Sequence, residues 1–167
     1  TSDVVIGGRR GVLIAIDGAT GSLLWSFDDQ GGRWFNFYTS QIVDDQNGDG
    51  VVDVFATNGG LVFDQPEEGG GIPGPDDRHL GTMFVVSGVD GSVIAESPVP
   101  DRRESYMSPV LLPDSGSGPE VLVGTGGETL PGALWRLPIS TLIDGERGVA
   151  QAVVSGGAKG VIAAPSI

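Results

Sequence analysis

The sequence predicts an all-β fold, and three observations lead to this prediction. Short, dense apolar runs such as VLIAI at 12–16 and TMFVV at 82–86 recur along the whole chain. They are separated by turn-forming residues, since the 167 residues include 29 glycines and 11 prolines. No stretch longer than about ten residues combines the 3.6-residue periodicity of a helix with freedom from Gly and Pro. Many short apolar runs divided by Gly, Asp and Pro are typical of all-β sandwiches, barrels and propellers.

Each apolar run that is bounded by turn residues is interpreted as one strand. A long insertion at 64–81, rich in Pro, Gly and acids, interrupts the pattern and is expected to be a surface loop. The last residues, 160–167, resemble one more strand of the same type. The other predicted strands lie at 3–8, 11–17, 22–27, 38–44, 52–57, 82–87, 92–97, 106–112, 121–124, 133–137 and 149–155.

The strands belong to a repeated unit. The segments DVVIGG at 3, DVFATNGG at 53 and EVLVGTGG at 120 are three versions of one element. LIAIDGATGSLL at 13 aligns with MFVVSGVDGSVI at 83, and YTSQIVDD at 38 aligns with YMSPVLLPD at 106. The unit is a four-stranded meander of about 50 to 70 residues, and repeats of this size are typical of β-propeller blades.

The residues 44–53, DDQNGDGVVD, form a candidate cation site. They place alternating oxygen-bearing side chains in the pattern D-x-N-x-D-G-x-x-D, with a main-chain carbonyl between the last two. Calcium takes about six to eight oxygen ligands, and short Asp and Asn side chains on a curled backbone supply them well. The predicted Ca²⁺ ligands are Asp45, Asn47, Asp49, Val51 (through its carbonyl) and Asp53.

The loop does not match a full calcium-binding helix–loop–helix, and two interpretations of it remain. Position 12 is Ala56 instead of a bidentate Glu, and a strand follows, so the loop is expected to join two strands. An acidic turn that binds no metal is the other interpretation, because Asn, Asp and Gly are common in ordinary hairpins. In the third unit, PDSGSGPE at 113–120 keeps Asp114 but replaces the middle ligands with Ser115 and Ser117, so no calcium is expected there.

Two known repeat families share these motifs. LIAIDGATGSLLW, with Asp17, Thr20, Gly21 and Trp25, resembles the blade repeat of PQQ-like β-propellers. DDQNGDGVVDVFATNGG resembles the FG-GAP repeat of integrin-α-like propellers, in which a calcium loop joins the innermost strand of a blade to the second. The pattern is irregular in the later units, because Ala95 replaces the Trp of the second unit and Trp135 lies in a different strand.

The resemblance implies about three blade equivalents within a single segment, 1–167. These are a partial blade at 3–28 with the strand type of 160–167, a blade at 38–97 that contains the acidic insertion, and a blade at 106–155. A propeller usually has about four to eight blades. Either the chain belongs to a larger propeller, or copies of it assemble, with the C-terminal strand completing a neighbour's first blade by β-augmentation.

Charge and composition narrow the classes of partner and compartment. The net charge of −13, from 22 acids and 9 bases, argues against nucleic-acid binding. The absence of Cys excludes disulfides, thiolate catalysis and Cys-based zinc sites. No apolar stretch approaches the roughly 20 residues that span a membrane, and no signal peptide is visible. A weak calcium module suits millimolar calcium, so we expect an extracellular, cell-surface or periplasmic location.

The sequence gives little support for catalysis. His79 lies near Asp76 and Asp77, and Glu67 adjoins Glu68, but both groups fall in the acidic insertion, where solvated charge is the default. The aromatic cluster of Trp34, Phe35, Phe37 and Tyr38 is either a platform for sugar or peptide, or packing between blades.

The predicted function is therefore that of a calcium-binding extracellular propeller segment and not of an enzyme. Its role would be adhesive, binding or structural, with a protein or carbohydrate ligand as a candidate partner. The alternative is a fragment of a secreted enzyme that carries such a propeller, either a quinoprotein dehydrogenase or a polysaccharide lyase.

Overall fold

The structure is a computed structural model. It describes residues 2–8, 12–28, 37–59, 81–114, 116, 118–127, 130–145, 149–155, 157–163 and 165. These residues form three antiparallel sheets and one short helix, which confirms the all-β prediction. The propeller arrangement and the division into blades stay predictions.

Sheets 1, 2 and 3 follow one another along the chain, and in each the strands pair in sequence order. Sheet 1 contains β1 (Val4–Gly7), β2 (Val12–Ile16) and β3 (Leu23–Asp28). Sheet 2 contains β4 (Gln41–Val43), β5 (Asp53–Asn58), β6 (Thr82–Val86) and β7 (Val93–Pro98). Sheet 3 contains β8 (Val110–Leu112), β9 (Glu120–Gly124), β10 (Ala133–Pro138) and β11 (Gln151–Ser155), with helix α1 (Ser140–Ile143) between β10 and β11.

Sheet 2 is the middle layer of the molecule. All described side chains of β5 and β6 are buried, because alternate residues of each strand point to opposite faces and both faces are covered. One face packs on sheet 1, through Val54, Ala56, Phe84 and Val86 against Leu13, Ala15 and Trp25. Phe37, which precedes β4 and bridges to Asn58 of β5, belongs to the same cluster. The other packs on sheet 3, through Phe55, Met83 and Val85 against Val121, Val123 and Leu137.

The repeat that the sequence predicts is visible in the hairpins of sheets 1 and 2. The pairing register shifts by one residue at Ala15/Ile16 and again at Val85/Val86. The turns that follow are closed alike, since the Asp17 N–H donates to the Ser22 carbonyl at 2.8 Å and the Ser87 N–H to the Ser92 carbonyl at 2.8 Å. One bulge and one turn therefore occur twice, as expected for equivalent hairpins.

A backbone contact between successive units occurs three times. The Phe37 N–H donates to the Gly8 carbonyl at 3.0 Å, and the Ser105 N–H donates to the Gly59 carbonyl at 3.0 Å. The Gly160 N–H donates to the Gly127 carbonyl at 2.9 Å. Each acceptor lies in the Gly turn after the second strand of a unit, so residue 160 stands against sheet 3 much as residue 37 stands against sheet 1.

The structure differs from the predicted elements at two places. Among the described residues of 160–167 there is no strand, and the segment contacts sheet 3 through the amides of Gly160 and Val161. Helix α1 has no counterpart in the prediction, because four residues are too few to show a helical period. The helix packs against β7 and β10, with Leu142 buried.

Candidate metal centre

The 44–53 loop joins β4 to β5, and Asp45 organises its backbone. Asp45 Oδ1 accepts the N–H groups of Asn47 at 3.1 Å, Gly48 at 2.7 Å and Asp49 at 3.3 Å, and Oδ2 accepts that of Gly50 at 2.8 Å. These four hydrogen bonds lower the pKa of Asp45 below its ordinary value, and the bond from the Gly50 N–H contributes most. The loop thus folds around one carboxylate that stays ionised.

Two glycines allow this curl. Gly48 has φ 81° and Gly50 has φ 86°, in the left-handed region that L side chains rarely adopt. Gly50 stands at position 6 of the loop, where calcium loops of this type place a Gly for the sharp turn. The tight curl of the loop therefore depends on these two glycines.

The next two predicted ligands lie in the same turn. Asn47 Oδ1 accepts the Asp49 N–H at 3.0 Å, and Asn47 Nδ2 donates to Asp49 Oδ2 at 2.8 Å. Asp49 Oδ1 accepts the Val51 N–H at 2.8 Å. Such side-chain-to-backbone bonds are the usual turns of Asn and Asp. They bring Asn47 and Asp49 side by side on the exposed part of the loop.

The last predicted ligand, Asp53, lies at the base of the loop and is fully buried. Its Oδ2 accepts the Gln46 N–H at 2.7 Å, and its Oδ1 accepts the Gly88 N–H at 3.1 Å. Ser87 Oγ also donates to Asp49 Oδ2, at 3.4 Å. The loop is therefore fixed to the β6–β7 hairpin through two acids, a connection that the loop sequence alone does not reveal.

The donor set fits calcium in its chemistry. All five candidates offer oxygen, and each carboxylate oxygen has two acceptor sites, so one that accepts a single N–H can still bind a cation. Within the part of the chain that the structure describes, no group of three or more Asp, Glu or His side chains is gathered as a metal cluster. The side-chain oxygens of Asp45, Asn47 and Asp49 instead accept backbone N–H groups of the loop.

The loop of sheet 3 repeats part of this design. Asp114 Oδ1 accepts the Gly116 N–H at 2.7 Å and the Gly118 N–H at 3.0 Å, and both glycines have positive φ, 102° and 87°. The acid at its base is used differently, because Glu120 accepts from Arg136 Nε at 3.0 Å and forms an ion pair with its guanidinium. Ser115 and Ser117 lie outside the described residues, and the absence of calcium from this loop stays a prediction.

An acid at the start of the second strand recurs in sheet 1. Asp3 Oδ1 accepts the Gly18 N–H at 3.0 Å, as Asp53 Oδ1 accepts that of Gly88. Each acid thus holds the turn that follows the neighbouring strand, which is β2 for Asp3 and β6 for Asp53. The two bonds are equivalent in the repeat, since Asp3 and Asp53 begin aligned segments and Gly18 and Gly88 lie in aligned turns.

Trp25 connects the β6–β7 hairpin to sheet 1. Its Nε1 donates to the Gly88 carbonyl at 2.8 Å, and a Cβ at Gly91 would lie 2.7 Å from Cε3 of the ring. In sheet 2 the equivalent Ala95 offers no such ring, and α1 packs against β7 there. Trp135 instead donates to Thr125 Oγ1 of its own sheet, at 3.1 Å.

The other sequence candidates divide in two groups. Phe37 is buried against Phe27 and Phe84, with ring centroids 5.6 and 5.8 Å away, which confirms the packing interpretation for this residue. Tyr38 contacts Tyr106 edge-on, at 6.3 Å between ring centroids. Trp34, Phe35, Glu67, Glu68, Asp76, Asp77 and His79 lie outside the described residues.

In the described part of the chain, no helix has the length and apolar character needed to cross a membrane. Comparison with models of protein families, with curated proteins and with solved structures found no match.

Proposed function

We propose that this chain is a segment of a calcium-stabilised β-propeller, of the FG-GAP and PQQ-like type, that works outside the cytoplasm. Its role is adhesive, binding or structural, and the metal takes no part in catalysis. The observation that carries the proposal is the loop between β4 and β5. It curls around Asp45 through Gly48 and Gly50 and offers five oxygen donors at the spacing of a calcium loop.

The propeller part of the proposal is supported by the way in which the sheets pack. Each sheet is a meander of consecutive strands, the central strands of sheet 2 are covered on both faces, and a backbone contact between units recurs three times. Propellers repeat one such sheet around an axis. Further blades, or copies of the chain, are then the proposed neighbours of the outer sheets.

Bound calcium would neutralise the carboxylates of Asp45, Asp49 and Asp53 and hold the loop closed. The chain's own contacts pass this stabilisation on. Asp53 holds the Gly88 N–H, and the Gly88 carbonyl accepts the Trp25 indole N–H from sheet 1. A rigid loop therefore stabilises the hairpin on which Trp25 is docked, and with it the contact between sheets 1 and 2.

The test compares thermal unfolding in chelator with unfolding in increasing Ca²⁺, for wild type and two variants. Wild type should melt higher in calcium, because a ligand at about 100 times its Kd adds about 2.7 kcal/mol to the free energy of unfolding. Asp49→Ala should lose this gain. Asp114→Ala removes an acid of the related loop in sheet 3, so this control should keep it.

Two outcomes contradict the proposal. Identical unfolding of wild type in chelator and in calcium would mean that the loop binds no calcium. Equal loss of the calcium effect in both variants would place the metal elsewhere than in the 44–53 loop. A parallel titration with Mg²⁺ checks selectivity, since Mg²⁺ demands a stricter octahedron than a flexible loop provides.

A further inference from the structure

A cleft of about 350 Å³ opens between sheets 2 and 3, on the side away from the 44–53 loop. Met83, Leu137 and Leu142 are buried residues of its lining, while Trp135, Thr141 and Arg102 are more accessible. Pockets for small molecules typically measure about 300 to 1,000 Å³ and combine an apolar lining with a few polar groups. The size and the lining of this cleft are thus those of a small-ligand site.

Arg102 is held in a strained backbone conformation at this cleft. Its φ is 58°, and it is the one residue other than Gly with positive φ in the described part of the chain. Left-handed backbone is unfavourable for Arg, and such strain persists only where the surroundings impose it. Strained residues of this kind concentrate at binding sites, so the position calls for a functional explanation.

The backbone around Arg102 imposes the strain. The Arg102 N–H donates to the Val99 carbonyl at 2.9 Å, and the Val99 N–H donates to the Gly81 carbonyl at 2.9 Å. The Gly81 N–H in turn donates to the Arg103 carbonyl at 2.9 Å. The 99–103 loop is thus tied to the start of β6 on both sides of Arg102.

The neighbouring side chains are anchored to sheet 3. Thr125 Oγ1 donates to Asp101 Oδ2 at 2.6 Å and accepts the Trp135 indole N–H at 3.1 Å. Arg103 Nη1 donates to the Pro131 carbonyl. One hydroxyl therefore positions both the loop that carries Arg102 and the ring of Trp135.

The guanidinium of Arg102 has no such engagement. Its side chain is exposed and makes no hydrogen bond or ion pair with any described residue, whereas Asp101 and Arg103 on either side are both bonded. The planar guanidinium matches a carboxylate through two parallel N–H bonds. The cleft thus offers a cation, Arg102, to an anionic group and an apolar surface with a Trp ring to the flat apolar part of a ligand.

We propose that the cleft between sheets 2 and 3 binds a small organic acid, with its carboxylate on Arg102 and its ring against Trp135 and the apolar floor. Two sources share this chemistry. One is an aromatic acid, and the other is a uronic acid, whose sugar ring has an apolar C–H face that packs on aromatic side chains. The proposal does not depend on calcium binding at the 44–53 loop.

The experiment is a titration of the isotope-labelled protein followed by amide and indole NMR shifts. The probes are phenylacetate and glucuronate, each with its neutral counterpart, phenylacetamide and glucose. At least one acid should shift the Trp135 indole signal and bind about tenfold or more tightly than its neutral counterpart, as expected for a charge-assisted pair. The acid that binds identifies the source.

Three variants complete the test. Arg102→Gln should weaken binding of the acid by about tenfold or more, since it removes the charge and the paired donors. Lys159→Gln removes one positive charge from a residue that does not line the cleft, so it should bind as wild type does. Arg102→Gly should lose binding while its melting temperature stays equal or rises, because Gly adopts positive φ without strain.

Several results would overturn the proposal. One is that neither acid binds wild type up to its solubility limit, and another is that Arg102→Gln binds as tightly as wild type. A melting temperature that falls in Arg102→Gly would show that the Arg side chain serves the fold and not a ligand. Two results separate this inference from the proposed metal site. One is that the acid still binds in the presence of chelator. The other is that Arg102→Gln loses binding of the acid whether or not the 44–53 loop binds calcium.

Discussion

Gly21 and Gly91 occupy the same position in the repeated hairpin turns and have nearly the same backbone, with φ 74° and 75°. Their surroundings differ. A Cβ at Gly21 would meet no atom within 4 Å, whereas one at Gly91 would lie 2.7 Å from the ring of Trp25. The pair therefore separates the cost of the backbone conformation from the cost of crowding the Trp.

Gly21→Ala should cost about 1–2 kcal/mol, the usual penalty of left-handed backbone for an L residue. Gly91→Ala should lose this and a further 1–3 kcal/mol or so, because an added methyl in a packed contact must displace its neighbour. Urea denaturation measures both losses, read from midpoints at constant slope. Equal losses would mean that the Trp25 contact contributes little to stability.

Asp17 gives the turn of sheet 1 a dependence on pH. Its Oδ1 accepts the N–H groups of Thr20 at 2.8 Å and Ala19 at 2.7 Å, and these bonds, with that of Thr20 the stronger effect, lower the pKa of Asp17. A carboxyl whose pKa is lower in the folded protein stabilises the fold above its unfolded pKa. This contribution is lost as the pH falls through the folded pKa.

Asp17→Asn keeps an acceptor for the turn but removes the titration. Stability should therefore fall less steeply in this variant than in wild type as the pH drops from about 5 to 2. Asp144→Asn removes an equal charge from an exposed acid and serves as the control for overall repulsion. Urea midpoints measured across this range in chelator decide the matter, and parallel curves for wild type and Asp17→Asn would refute the role of Asp17.

At the scale of elements, the sequence predicts the positions of strands more accurately than the contacts between them. The turn Asp17-Gly-Ala-Thr-Gly21 and the flanking apolar runs mark β2 and β3 to within about two residues, because glycine placement and apolar alternation are local properties. The strands predicted at 38–44 and 106–112 shorten to three residues each. In the second of these, Pro109 precedes β8 and has no N–H for the ladder.

The features that the sequence did not predict are contacts and backbone conformations that depend on tertiary structure. The bond from Asp53 to the Gly88 N–H joins residues 35 positions apart, and no local pattern indicates it. The positive φ of Arg102 is equally hidden, since a non-glycine residue gives no sign of left-handed backbone. The curl of the 44–53 loop, by contrast, was readable, because Gly48 and Gly50 stand where the turn needs them.

On the scale of the whole molecule, the three sheets form a stack, and the outer sheets are less buried than the middle one. The central strands β5 and β6 of sheet 2 are buried on both faces, but sheet 1 leaves Val4 48% and Ile6 44% exposed on β1. These residues pair with Ile16 and Ile14 of β2, which are half-buried, so among the described residues one apolar face of sheet 1 is partly exposed. Such a face is usually covered by another layer, which both a larger propeller and an assembly of copies would provide.

We therefore expect the isolated chain to self-associate through the partly exposed face of sheet 1. Sedimentation velocity over a range of concentrations should show mass above the 17.1 kDa of one chain, increasing with concentration. Ile6→Thr should weaken this association at little cost in stability, because Thr suits an exposed strand position. Val89→Thr is the control, since Val89 is 54% exposed but lies in a hairpin turn away from that face.

The form of the association distinguishes the two explanations for the partly exposed face. A single discrete oligomer would indicate that copies of the chain complete one another, since a closed ring leaves no free edge. Weak, polydisperse association would indicate an apolar face that further blades of a larger propeller normally cover. A folded monomer at every concentration, or equal association of Ile6→Thr and wild type, would show that this face needs no partner and would count against both.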